Sequence, residues 1–193
     1  MRLSAALTSR GSCCRVGEPG LAVLRVLRGF VSASMVVLVL ALPVASLAST
    51  MTGLVVGIAD GDTLTLLDAE RVQHKIRLAG VDAPEKRQAF GDRSKQSLAA
   101  LVFRKQVVVE WNKHDRYGRV IGRVLIGDED VCLAQVRVGL AWHYKAYERE
   151  QSPADRERYA QAELEARASK RGLWRDPAPT PPWVFRHQTR RGH

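Results

Sequence analysis

Leu54-Val55-Val56-Gly57-Ile58-Ala59-Asp60-Gly61-Asp62-Thr63-Leu64-Thr65-Leu66-Leu67 decides how the rest of the chain is read. A short β-branched run stops at Asp60-Gly61, a dipeptide suited to tight hairpin turns, and residues 63–67 then alternate with period two. The stretch therefore reads as two strands, 54–58 and 63–67. Asp68-Ala69-Glu70-Arg71 ends the second, and 72–78 forms a third. Downstream, 106–111 and 120–126 give two more, separated by the turn-prone Asp115-Arg116-Tyr117-Gly118. A helix is expected after Pro84-Glu85, with Phe90, Leu98, Leu101 and Val102 as its apolar stripe. Leu133, Val136 and Leu140 recur at i, i+3 and i+7, which predicts a short helix over 131–140. A last helix starts with Ser152 as N-cap, Pro153 at the first position and Asp155 in the first turn. Tyr159, Leu164 and Ala168 are its expected buried face, and Gly172 its stop. Five strands with about three helices make an α+β fold, a small five-stranded OB-type β-barrel. Such barrels commonly bind nucleic acid, but a fold does not fix an activity.

The totals agree with one folded domain plus an appendage. The chain has 193 residues, of which 46% are hydrophobic and 26% charged, a composition that excludes a disordered protein. The net charge of +10 points to a polyanionic partner, either nucleic acid or an anionic membrane. Solubility alone asks for a charge of roughly 2–8 in a small domain, so charge by itself does not select nucleic acid. Of the three cysteines, Cys13 and Cys14 precede the domain, which leaves Cys132 without an internal disulfide partner. Its apolar neighbours make it a small buried thiol.

Both ends differ from the middle. Residues 35–48 are uncharged and apolar, and follow a segment with Arg2, Arg10, Arg15, Arg25 and Arg28 against Glu18. Basic, then apolar, then small residues at Ser46 and Ala48 is the order of a secretory signal cleaved before Ser49. The long prelude leaves two alternatives: a start downstream of Met1, or an uncleaved anchor. Residues 30–48 approach the roughly 20 needed to span a bilayer, although Ser32, Ser34 and Pro43 weaken that tether. The organisation expected is a signal peptide or membrane anchor over 1–48, a folded domain over 49–175, and a Pro-rich basic tail over 176–193. Asp176-Pro-Ala-Pro-Thr-Pro-Pro182 reads as extended, able to return Trp174 or Trp183 to the body.

Three short segments carry charges that a simple core does not need. They are Asp60-Gly61-Asp62-Thr63, Ile76-Arg77-Leu78 running on to Val81-Asp82-Ala83-Pro84-Glu85, and Asp115-Arg116-Tyr117-Gly118-Arg119. Asp62 and Asp82 lie at strand ends, where two carboxylates with a backbone carbonyl and waters suit Ca²⁺. A hairpin turn explains Asp62 equally well when taken alone, and a turn starter or cap explains Asp82. Glu85 can be a first-turn acid. Arg77 sits inside an apolar strand, so an enclosed site and a solvent-facing position are evenly matched. Arg119 reads locally as a solvated turn arginine. None of His74, His114, His143, His187 and His193 has metal-ligand spacing.

Taken together and in this order, the three segments resemble the motifs of the staphylococcal nuclease (thermonuclease) family. The resemblance extends from about Leu54 to Trp174, including Val138-Gly139-Leu140-Ala141, Arg171-Gly172-Leu173-Trp174 and the Pro-rich end of bacterial exported members. It implies a calcium-dependent endonuclease acting on DNA and RNA and leaving 3′-phosphate ends. By the same resemblance Asp62 and Asp82 are metal ligands through carboxylates, and Ala83 through its backbone carbonyl. Studied members carry threonine at that third position, and a backbone contact survives the change to alanine. The resemblance makes Glu85 the general base or water-orienting group, and Arg77 and Arg119 the holders of the scissile phosphate. Tyr117, Tyr144 and Tyr147 would contact substrate, with the choice between the last two depending on a one-turn register.

Export follows as the expected location, either secreted or periplasmic, or anchored with the domain outside the cytoplasm. The working state expected is a monomer. The competing reading is a non-catalytic nucleic-acid-binding OB module. Degenerate domains of that kind lose catalytic charges, whereas Asp62, Arg77, Asp82, Glu85 and Arg119 are all present. A membrane-surface protein using the apolar leader and a basic face is a weaker rival, without specific support in the body of the chain.

Overall fold

The computed structural model describes residues 49–191. The expected leader and tether therefore lie outside the described residues. Among the described residues no helix is long and apolar enough to cross a membrane.

Five strands close into a barrel: β1 (Ser49–Ile58), β2 (Thr63–Leu67), β3 (Gln73–Leu78), β5 (Gln106–His114) and β6 (Val120–Ile126). Neighbours run antiparallel in the order β3-β2-β1-β5-β6, and parallel pairing of β3 with β6 shuts the sheet on itself. Two-residue strands β4 (Val81–Asp82) and β8 (Trp142–His143) pair beside the barrel, and β7 (Glu129–Asp130) edges β6. Helices α1 (Gly91–Val102), α2 (Val131–Arg137), α3 (Pro153–Ala168) and α4 (Pro182–Arg191) complete the fold.

β1 begins five residues before the expected 54. Its polar half, Ser49-Thr50-Met51-Thr52-Gly53, lacks a hydrophobic run, yet pairs with β5 from Ser49↔Trp111 to Leu54↔Gln106. Its second half pairs with β2, with a register shift between Val55 and Gly57. One strand thus serves two neighbours, and an irregularity of this kind lets a sheet curl towards closure. Leu64, Leu66, Ile76, Val55, Val109 and Val124 point inward and are fully buried. Each such side chain contributes about 1.5–3 kcal/mol relative to an exposed one.

α1 seals the barrel with Leu98 and Val102, and α2 buries six consecutive residues, Val131 to Val136. Asp130 caps α2 by accepting from Leu133 N at 3.0 Å, and also receives the Tyr159 hydroxyl at 2.9 Å. Cys132 is buried as expected, and burial pushes its thiol up to about 12.

α3 starts as expected, Ser152 Oγ accepting from Asp155 N at 3.1 Å. Its buried face is different: Tyr159, Ala162, Glu163 and Ala166 face inward, whereas Leu164 is 59% exposed. Spacing i, i+3, i+4, i+7 from Tyr159 selects two small alanines and a paired glutamate over the bulkier leucine. Glu163 is accommodated by the His143 N–H at 3.2 Å and by Arg167 at 3.4 Å.

The end of the chain also departs from a wholly extended tail. After the Pro-rich turn region, Pro182 opens α4, a position where its missing N–H costs nothing. Trp183 does return to the body: its ring lies 5.6 Å from Trp142 and stacks 5.4 Å from Tyr144.

Candidate active site

The chain places Asp62 through the hairpin joining β1 to β2. Asp60 Oδ1 accepts from Asp62 N at 3.1 Å, and the Asp62 carbonyl accepts from Leu78 N at 2.8 Å. The Asp-Gly turn expected from sequence is real, and it simultaneously aims Asp62 inward. Its Oδ2 accepts from Ala83 N at 2.7 Å, and its Oδ1 from the Thr63 hydroxyl at 3.1 Å. Strand β3 contributes Arg77, β4 contributes Asp82, and the following turn carries Ala83, Pro84 and Glu85.

Arg77 joins the two strand ends. One guanidinium nitrogen lies 2.8 Å from Asp62 Oδ2 and another 2.8 Å from Asp82 Oδ1. Its Nη1 also donates to the Val81 carbonyl at 3.0 Å. Asp62 is 5% and Asp82 1% exposed, and Arg77 is largely enclosed. Burial pushes the Asp62 carboxyl up to about 7 against the pull of Arg77, with Asp60 and Asp82 adding to the rise. Burial works against the Arg77 charge, but Asp62 and Asp82 outweigh it and raise its pKa. The even choice left by local pattern thus falls on the enclosed side.

Arg119 is held by its own turn. Gly118 adopts φ +75° between Asp115 and Arg119, a conformation suited to glycine. Asp115 Oδ1 accepts from the Tyr117 and Arg119 backbone N–H groups at 2.9 and 3.0 Å, while its Oδ2 receives Arg119 Nε at 2.7 Å. Arg119 is therefore a fixed cation, not a freely solvated one.

Asp62, Arg77, Asp82, Ala83, Glu85, Tyr117, Arg119, Tyr144 and Tyr147 all line one cavity of about 510 Å³. Tyr117 and Tyr147 are exposed at its margin, whereas Tyr144 lies beneath Trp183. Cations stand near both exposed rings: Arg119 is 5.6 Å from the Tyr117 centroid and Lys113 5.4 Å from that of Tyr147.

Two buried carboxylates that meet a single guanidinium at 2.8 Å each are close, hard oxygen donors. That donor set fits a hard divalent cation. Among the described residues no three His, Cys, Asp or Glu side chains converge as a metal cluster. Further ligands would have to be backbone carbonyls or water, a mixture that calcium accepts. Permanently charged planar forks beside such donors suit a phosphodiester.

Residues 75–176 match the family described as Staphylococcal nuclease homologue. The chain belongs to the staphylococcal nuclease family. As a member of it, the chain is a nuclease, a hydrolase of phosphodiester bonds. It is similar to "Protein ParB" of Escherichia coli, at 39% identity over 82% of this chain and 90% of the relative. An "Uncharacterized endonuclease" of Escherichia coli is 40% identical over 74% of this chain and 89% of its own length. A "Micrococcal nuclease" of Shigella flexneri is 38% identical over 82% of this chain and 91% of its own.

One group at the site was absent from the sequence reading. Arg186, on α4, places Nη2 2.7 Å from Asp82 Oδ2, and Nη1 2.7 Å from Glu85 Oε1 and 3.2 Å from Asp82 Oδ1. Burial opposes its charge, but hydrogen bonds to Asp82 and Glu85 raise its pKa overall. Trp183, Arg186, His187 and Arg190 share one helical face at i, i+3, i+4 and i+7, and all line the same cavity. That spacing after Pro182 was the available signal.

Proposed function

We propose that this nuclease is a calcium-dependent endonuclease that hydrolyses DNA and RNA and leaves 3′-phosphate ends. The observation that carries the reading is the bridging of Asp62 and Asp82 by Arg77, in one cavity with Glu85 and Arg119. Asp62 and Asp82 would hold Ca²⁺ through carboxylates, with the Ala83 carbonyl as a third ligand. Bound there, the ion would polarise the phosphate and help to orient the attacking water.

The protein groups divide the remaining work. Glu85 would orient the water and accept its proton as the oxygen attacks phosphorus. Arg77 and Arg119 would bind the equatorial oxygens and gain strength as negative charge builds in the five-coordinate transition state. The 5′ oxygen leaves, so the phosphate stays on the 3′ side. Tyr117, Tyr144 and Tyr147 would contact the nucleotides, stacking being worth about 1–3 kcal/mol per base and indifferent to sequence.

We further propose that residues 1–48 direct export and that the domain works outside the cytoplasm as a monomer. Determining the mature N-terminus from the exported chain tests the first part. A non-catalytic nucleic-acid binder is the alternative, and the presence of all five charged groups disfavours it. Incubation with DNA and RNA in calcium or in chelator separates the two: hydrolysis only with calcium supports the nuclease, and binding without cleavage supports the binder.

A further inference from the structure

The C-terminal helix does more than pack. Arg186 and Arg77 together take both oxygens of Asp82, and Arg186 also takes Glu85 Oε1. Its guanidinium supplies positive charge between two carboxylates assigned above to calcium and to the attacking water. Arg77 alone leaves Asp82 Oδ2 open to a metal, but Arg186 takes that remaining oxygen and adds a second fixed positive charge that repels a divalent cation.

Two more contacts fasten the same segment across the site. Trp183 stacks on Tyr144 with ring planes at 30°, which uses the face a nucleotide base would need. Just before the helix, the Thr180 carbonyl accepts from Gln88 Nε2. Gln88 Oε1 in turn accepts from Glu85 N at 3.1 Å, so the tail is tied to the turn that carries Glu85.

We propose that α4 is a built-in inhibitor of the active cleft: Arg186 takes the place of the cation's charge, Trp183 covers the Tyr144 stacking face, and calcium and nucleic acid must displace the helix. This rests on the reading of Asp82 and Glu85 given above. Docking and calcium binding are then mutually exclusive states of one chain. The apparent calcium affinity is lowered by the fraction of chains in which α4 is undocked. Linkage is reciprocal, so calcium loosens α4 by the factor by which α4 weakens calcium. The enzyme stays closed until calcium is abundant.

Calcium titration calorimetry on the full chain, without nucleic acid, tests this. Arg186→Ala should tighten calcium binding about tenfold or more, whereas Arg175→Ala, which removes an exposed charge of the same sign, should leave it unchanged. Trp183→Ala, which weakens docking but keeps every carboxylate and Arg186, should tighten it in the same direction. Folding of each variant is checked by circular dichroism, and Trp183→Ala serves if Arg186→Ala fails that check. Calcium binding that is equal or weaker in the folded α4 variants overturns the inhibitor and leaves the calcium reading standing. No calcium binding by parent or variants overturns both.

Discussion

Arg77 Nη2 lies 2.8 Å from Asp82 Oδ1 while Arg77 Nη1 lies 2.8 Å from Asp62 Oδ2, so one guanidinium fixes the spacing of two buried carboxylates. Lysine keeps the charge but cannot span both partners as a planar fork. Arg77→Lys should therefore lower kcat by about 100-fold, in the range seen when one preorganised donor to a developing oxyanion is lost. Steady-state kinetics read that loss, and a thermal melt should show the variant still folded. A variant with near-parental kcat contradicts the role.

Glu85, the proposed proton acceptor, is 37% exposed on the turn after β4, and neither buried Asp62 nor buried Asp82 duplicates it in such a setting. Glu85→Gln preserves shape and hydrogen-bonding capacity but not basicity. Turnover should fall by about 10²–10⁴-fold, the usual contribution of general acid–base catalysis. Calcium titration of the same variant should still show binding through Asp62 and Asp82.

Asp115 holds Arg119 at 2.7 Å, and in the proposed reaction it would act through that arginine. Asp115→Asn retains an acceptor for the turn but removes the ion pair. We expect kcat to fall by about tenfold with KM little changed, whereas Arg119→Ala should lose about 10²–10³-fold. Equal losses in the two variants would show that Asp115 is needed for more than aim.

The Tyr159 hydroxyl lies 3.0 and 2.9 Å from the two oxygens of Asp130, away from the cleft. Hydrogen bonds to charged groups contribute about 1.5–3 kcal/mol, and Tyr159→Phe leaves the buried carboxylate short of a donor. Urea denaturation should show a loss of about that size, while calcium affinity and kcat per folded molecule stay unchanged.

The barrel was legible because strands advertise themselves by alternation, and Leu64, Leu66, Val120 and Val124 alternate cleanly. The polar start of β1 was not, since Ser49 to Gly53 gain their structure from pairing with β5 and not from their own hydrophobicity. On α3 the apolarity of Leu164 misled, because a face built on Ala162 and Ala166 is chosen by close packing. The site's motif residues could be picked out because three ordered segments resemble a family's motifs, with metal chemistry adding support for Asp62 and Asp82. Arg186 was not: its partners Asp82 and Glu85 lie 104 and 101 positions away, and despite the helical spacing after Pro182 a basic tail ordinarily reads as solvated charge.

The central claim is that Asp62, Arg77, Asp82, Glu85 and Arg119 form a calcium-dependent phosphodiester-cleaving site. The most direct test incubates the purified chain with single-stranded DNA and with RNA, in calcium and in excess chelator, and identifies the product ends. The account predicts internal cleavage of both polymers in calcium, products bearing 3′-phosphates, and no cleavage in chelator. Undiminished cleavage in chelator, or intact polymers after incubation of a folded, calcium-bound chain freed of α4 by Arg186→Ala, would contradict it.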